Sequence, residues 1–125
     1  LNSAVCSKAV ADTITRALKA VTEDGTAKRL KGAKCSVAGK TGTSFGTYAN
    51  GKYVDEHGRR KYQGTFVGFF PAEDPQYSII SVVYSKPTNK SFQGGGIPAK
   101  AIRTVIDRVY DIDPYFQETL RQKRK

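Results

Sequence analysis

The sequence holds one histidine, His57, and two cysteines, Cys6 and Cys35, far apart along the chain. There is no C-x-x-C pair, and His57 cannot complete a zinc site with cysteines placed in this way. No metal and no cofactor are expected, and the cysteines read as buried free thiols rather than a disulfide. No apolar run approaches the roughly 20 residues that a bilayer-crossing helix needs, and no signal peptide is apparent. Internal repeats, low-complexity blocks and interdomain linkers are also missing, so the 125 residues read as one domain with a modest core. The chain opens on Leu1 rather than Met, which suggests a piece excised from a longer protein.

Acidic groups are scarce as well. Lys and Arg number 21 against 11 Asp and Glu, a formal charge of +10. The excess is spread out: residues 1–62 carry 12 basic and 5 acidic groups, and residues 63–125 carry 9 and 6. The densest run is the basic tail 121–125, Arg121-Gln122-Lys123-Arg124-Lys125, which reads as a solvated, frayed terminus. With no aromatic-basic platform and no zinc spacing, nucleic acid is not an expected partner. Val, Ile, Phe and Tyr are plentiful enough to exclude a compositionally disordered chain.

What is present is an ordered series of elements. Residues 3–22 predict a helix capped by Ser3, with Val10, Ile14, Leu18 and Val21 on one stripe. Gly25 would stop it in a left-handed conformation, and residues 26–30 add one further turn. Lys34 to Ser44 predicts a strand. Residues 46–63 form a polar, tyrosine-dotted, hairpin-like insertion, with a two-residue turn at Asn50-Gly51 and a second turn at His57-Gly58-Arg59-Arg60. Residues 65–70 and 77–84 then predict a hairpin across the Pro71–Gln76 turn. Their nearly continuous apolar content predicts helices over much of the sheet. Pro98 opens a helix over 97–110 with Ile102, Val105, Ile106 and Val109 on its stripe. Asp113-Pro114 starts a final short helix that dissolves into the basic tail. The fold class is α+β, an antiparallel sheet flanked by N- and C-terminal helices.

The chemistry concentrates in Val37-Ala38-Gly39-Lys40-Thr41-Gly42-Thr43-Ser44. The Lys40 ammonium and the Thr41 and Thr43 hydroxyls, beside an exposed backbone edge, make a receptor for the carboxylate of an extended peptide. Gly42 lets another backbone approach closely, and at period two it shares a face with Lys40. Ser44 reads equally as a substrate contact or as structure. Gly39-Lys40-Thr41 is no P-loop, because position 34 is Lys34 and no helix follows. His57, Glu73 and Asp74 fall in polar turns, and Tyr48, Tyr53 and Tyr62 read as packing within the insertion. Two classes without catalysis stand beside the enzymatic one: a strand edge that binds peptides, and a basic nucleic-acid module.

A longer string extends the motif: Glu23-Asp24-Gly25-Thr26-Ala27, then Val37 to Thr43, then Thr65-Phe66-Val67-Gly68-Phe69 with Pro71-Ala72, then Gly94-Gly95-Gly96. It resembles the C-terminal part of a class B penicillin-binding protein, a peptidoglycan D,D-transpeptidase, and residues 1–125 would be that portion of the domain. Division-type and elongation-type members share these features. The resemblance implies a β-lactamase/transpeptidase-like fold and acylation of an active-site serine by a D-Ala-D-Ala stem peptide or a β-lactam. Lys40 would supply a fixed positive charge within the serine-lysine network, and the Thr41 and Thr43 hydroxyls would hold the terminal carboxylate. The Thr43 N–H would be one of two oxyanion donors. The family's Ser-x-x-Lys and Ser-x-Asn motifs are absent from these 125 residues: Val10 follows Ser7 by three positions, and Gly39 follows Ser36. The resemblance therefore implies one wall of an active site, inactive alone, whose partner is the missing N-terminal part of the same domain. Without that part, an apolar face should be exposed and drive self-association. It also implies a parent anchored in the bacterial inner membrane by an N-terminal helix outside this chain, with this domain in the periplasm.

Overall fold

The structure, a computed structural model, describes residues 4–123. Its elements are α1 (Lys8–Glu23), a 3-10 turn (Lys28–Leu30), β1 (Ala38–Gly46), β2 (Lys61–Phe70), β3 (Tyr77–Tyr84), α2 (Ile97–Ile112) and α3 (Pro114–Lys123). The strands form one antiparallel sheet in the order β1-β2-β3. The α+β class read from the sequence is what the chain adopts.

Helix α1 starts at Lys8 rather than at residue 3. The expected cap, Ser3, lies outside the described residues. Ser7, in extended conformation, accepts from the Val10 N–H at 3.4 Å and begins the helix instead. Gly25 is not left-handed: the glycines with positive φ are Gly32, Gly51 and Gly58. A Cβ at Gly25 would lie 2.8 Å from the Val21 Cα, so close approach accounts for the glycine. The buried Thr22 hydroxyl lies 2.7 Å from the Val37 carbonyl and ties the end of α1 to the entry of β1.

Residues 34–37, expected as strand, are irregular because other elements satisfy their backbone. Lys34 N–H donates to Asp107 of α2 at 2.8 Å, and the Ser36 carbonyl accepts from Ala72 in the β2–β3 turn at 3.1 Å. β2 begins four residues before the expected Thr65, taking Lys61 to Gln63 out of the insertion. What remains between β1 and β2 is two tight turns. The Gly51 N–H donates to the Tyr48 carbonyl and the Gly58 N–H to the Asp55 carbonyl, each with a left-handed glycine in fourth place. The turn expected at Asn50-Gly51 is therefore centred one residue earlier.

The core lies on one face of the sheet. Phe66 and Phe70 of β2 pack with Ile102 and Ile106 of α2, Leu30 of the 3-10 turn, Val37 and Phe116 of α3. Val105, expected on the α2 stripe, is 47% exposed, and Pro98 and Ala99 are buried in its place. Phe70, Tyr77 and Phe116 stack, with ring centroids 5.2 and 6.3 Å apart, and seat α3, which continues through Lys123 instead of fraying at 121.

The opposite face corrects the expectation of broad helical cover. β3 alternates half-buried and exposed residues. Across the sheet Lys40 pairs with Val67 and Val67 with Ile80, while Thr65 pairs with Val82. Val67 is 49% exposed and Ile80 is 65% exposed. Leu18 of α1 joins them around an open cavity of about 460 Å³. Among the described residues no other helix reaches this face. The thiols are free as expected, but Cys6 is exposed and Cys35 only half-buried.

Candidate active-site strand

β1 is paired on one side only, so it offers a free backbone edge. Strand alternation sorts its functional side chains. Lys40, Gly42 and Ser44 lie on the open face, and Thr41, Thr43 and Phe45 on the face that carries α2. The ammonium and the hydroxyls thus do not converge on one face. They meet at Thr41: the Lys40 Nζ curls along the strand to donate to the Thr41 carbonyl at 2.9 Å, while the Thr41 hydroxyl projects the other way. Ser44 is exposed and has no hydrogen bond in which its hydroxyl takes part among the described residues.

The hydroxyls open into a groove of about 380 Å³. The Thr41 Oγ1 lies 2.7 Å from the Thr26 Oγ1, and the Thr43 Oγ1 accepts from the Gly94 N–H at 3.3 Å. Two hydroxyls within hydrogen-bond reach leave one proton free to turn toward a ligand oxygen. Phe45, Tyr62 and Phe92 wall the far end, with Tyr62 between the other two at 5.2 and 6.4 Å.

Thr26, Gly94 and Gly95 are site residues to which the sequence reading gave no role. A Cβ on Gly95 would run into the Thr26 carbonyl, and one on Gly94 into the carbonyls of Thr65 and Gly42. The loop before α2 must be glycine to lie flat on β1 and β2. The signal was in the sequence: Gly25-Thr26-Ala27 and the Gly94–Gly96 run are far apart there and pack together here.

A second polar cluster pins the ends of these elements. Glu73 in the β2–β3 turn is paired with Lys19 of α1 and accepts from the Ser36 hydroxyl. Those two bonds hold its carboxyl below the usual carboxylate range, and the same pairing raises the Lys19 ammonium. Glu73 is exposed in its turn, as read from the sequence, and is also paired there. Burial pushes the Cys35 thiol up to about 11, so it is a poor nucleophile. His57 is exposed in its turn, beside Glu56 at 3.5 Å. Tyr48 packs within the insertion, donating its hydroxyl to the Arg59 carbonyl at 2.9 Å, whereas Tyr53 is exposed.

Known proteins resemble this chain in sequence and in fold. The family model described as penicillin binding protein transpeptidase domain matches residues 1–107. The "Probable peptidoglycan D,D-transpeptidase PenA" of Neisseria flavescens is 37% identical over 70 residues, which is 56% of this chain and 16% of that protein. The peptidoglycan D,D-transpeptidase FtsI of Buchnera aphidicola is 29% identical over 111 residues, 86% of this chain and 18% of its own length. The transpeptidase domain of the FtsI4 D,D-transpeptidase from Legionella pneumophila superposes with a TM-score of 0.65 at 30% identity, covering 86% of this chain and 38% of that one. The chain thus spans less than a fifth of the length of these curated relatives. On the match over residues 1–107 and the shared fold, the chain belongs to the penicillin-binding protein transpeptidase domain family.

Proposed function

We propose that this chain supplies the substrate-binding strand of a serine-type peptidoglycan D,D-transpeptidase. The observation that carries the reading is the Lys40-Thr41-Gly42-Thr43 run on an edge strand whose threonine hydroxyls open into a groove. A stem peptide lies along the β1 edge with its terminal carboxylate on Thr41 and Thr43, and Gly42 leaves room for its backbone. Ser44 adds a hydroxyl at the rim. The serine, carried upstream in a longer protein, attacks the penultimate D-Ala carbonyl and gives up its proton to the lysine network. The Thr43 N–H stabilises the oxyanion, and loss of one such donor costs about 3–4 kcal/mol. D-Ala leaves with a proton, and a second strand's amine then displaces the serine from the ester. Lys40 touches these groups as a fixed positive charge and does not form the ester.

In this reading the upstream part of the same domain covers Val67, Ile80 and Val82, and copies of the chain associate through that face when it is missing. β-Lactams, as acylating analogues of the peptide, label the serine. The protein works at the periplasmic face of the inner membrane, held there by an anchor; no helix among the described residues is long and apolar enough to cross a membrane. The free β1 edge also favours a second reading, a peptide-binding strand with no chemistry.

Fluorescent penicillin separates the two. Labelling only of a chain extended upstream through Ser-x-x-Lys and Ser-x-Asn, and lost on Lys40→Ala, supports the enzyme. Peptide binding that survives Lys40→Ala, with no labelling of either form, supports the bare edge. A stable adduct on the 125-residue chain alone would overturn the assignment of the serine to an upstream segment.

A further inference from the structure

Where α3 meets the β2–β3 turn and the entry to β1, the chain leaves a further cavity of about 460 Å³. That size is within the roughly 300–1,000 Å³ of small-molecule sites. None of its lining residues belongs to the hydroxyl groove. The wall contributed by α2 and α3 is aromatic. Phe116 is buried, and its ring centroid lies 5.0 Å from that of Tyr110 and 5.1 Å from that of Tyr115. Cys35, half-buried, lines the cavity from the entry to β1. Three charged side chains line it as well, and two are neutralised: Lys34 is paired with Asp111, and Glu73 with Lys19. Asp74 is the exception. Its carboxylate accepts from the Tyr115 hydroxyl at 2.6 Å, and no cation pairs with it among the described residues. That bond raises the Tyr115 phenol, which stays the donor at neutral and mildly alkaline pH. In a chain with a formal charge of +10, one carboxylate beside three aromatic rings is left uncompensated.

We infer that this cavity is a binding site for a small organic cation, an amidinium or ammonium group on a flat apolar body. The cationic head pairs with Asp74, and the body lies among Tyr110, Tyr115 and Phe116. The Tyr115 hydroxyl occupies one carboxylate oxygen of Asp74 and leaves the other free to accept from the ligand. The rings attract a positive charge through their quadrupoles and offer the body apolar surface to bury against. Other ligand classes fit less well. An anion meets the bare charge of Asp74, and the lysine that could answer it is already paired. An uncharged ligand strips water from the carboxylate and returns no partner for it. The site does not depend on the transpeptidase reading, because no residue of the peptide groove takes part in it.

The test is alkylation of the two free thiols of the 125-residue chain by iodoacetamide, with and without benzamidine, followed by peptide mass spectrometry. Cys35 lines the cavity and Cys6 is exposed outside it, so every sample carries its own control. The raised thiol of Cys35 reacts more slowly than Cys6, which keeps the two rates apart. Benzamidine at ten times the dissociation constant given by its titration should slow Cys35 roughly 10-fold and leave Cys6 unchanged. Benzamide, its neutral isostere, should leave Cys35 almost unprotected at the same concentration. Asp74→Asn keeps an acceptor for the Tyr115 hydroxyl and should reduce the protection by benzamidine to that by benzamide. Thr119→Leu narrows the cavity without altering Asp74, since the Thr119 hydroxyl bonds within α3, and should also remove the protection. This second variant decides the matter if Asp74→Asn does not fold. Equal protection by the two compounds, or protection that survives Asp74→Asn, overturns the assignment of a cation. Slowing of Cys6 along with Cys35, or no slowing of Cys35 at any soluble concentration of benzamidine, overturns the site.

Discussion

The two faces of this three-stranded sheet are built from nearly the same apolar alphabet and have opposite fates. On one face Phe66 is fully buried beneath α2, with Ile102 and Ile106. On the other, its neighbour Val67 stands half-exposed in a row with Lys40 and Ile80. A lysine in an apolar row is tolerated where the row meets water or another polar group. The open face is apolar enough to need cover and polar at the one place where chemistry is proposed. Truncations on the two faces should differ widely in cost. Phe66→Ala should cost about 3–5 kcal/mol in urea unfolding, and Val67→Ala should stay within about 0.5 kcal/mol. Equal costs would mean that the open face is packed in solution.

The glycine-rich loop gives the next effect. Gly95→Ala places a methyl against the Thr26 backbone, which has no flexible end to move aside. The expected cost is about 1–3 kcal/mol, with Ser91→Ala in the same loop close to neutral. Because Gly94 donates to Thr43, the displaced loop should also weaken binding of D-Ala-D-Ala peptides in the groove. Unchanged stability and binding would mean that the loop does not close on β1.

Much of this arrangement was legible in the residues. The β-branched and aromatic run 77–84 specifies β3 to the residue, and Pro98 sits at the start of α2 as its fixed φ requires. Coverage was not legible. Tyr77-Ser78-Ile79-Ile80-Ser81-Val82-Val83-Tyr84 is apolar on both faces, and nothing in that pattern says which face has a partner within the chain. The groove was half legible: Lys40 to Thr43 announce it, but Thr26 and Gly94 belong to it only through contacts across long sequence separations. Ser3 and Ser7 offer the same capping chemistry, and the stripe from Val10 to Val21 does not say which of them starts the helix.

The open face makes a prediction of opposite sign to the core. If the chain self-associates through the open face as proposed, Ile80→Lys with Val82→Lys should reduce the rise in light-scattering mass with concentration, while moving the unfolding midpoint little. If the variant associates as the parent sequence does, another surface carries the association.

The smallest expected effect lies where α1, the one helix touching the open face among the described residues, is clamped to the sheet. Glu73 receives Lys19 from α1 and Ser36 from the entry to β1. Its folded carboxyl titrates below the ordinary 4.5, so its contribution is present above that pH and is lost as pH falls through the lower, folded value. Lys19 is raised above 10.5, so its share persists until pH rises past its folded value. Between those limits the clamp is constant. Glu73 is well exposed and the pair is screened by solvent, which limits it to about 1 kcal/mol or less. Glu73→Gln should therefore lower stability slightly at pH 7 and flatten its decline toward pH 4, as followed by urea midpoints across that range. The difference should shrink in high salt. An unaltered acid limb in the Glu73→Gln variant would show that α1 is held on the sheet by Thr22 and apolar contact alone, and that the two faces are joined without help from charge.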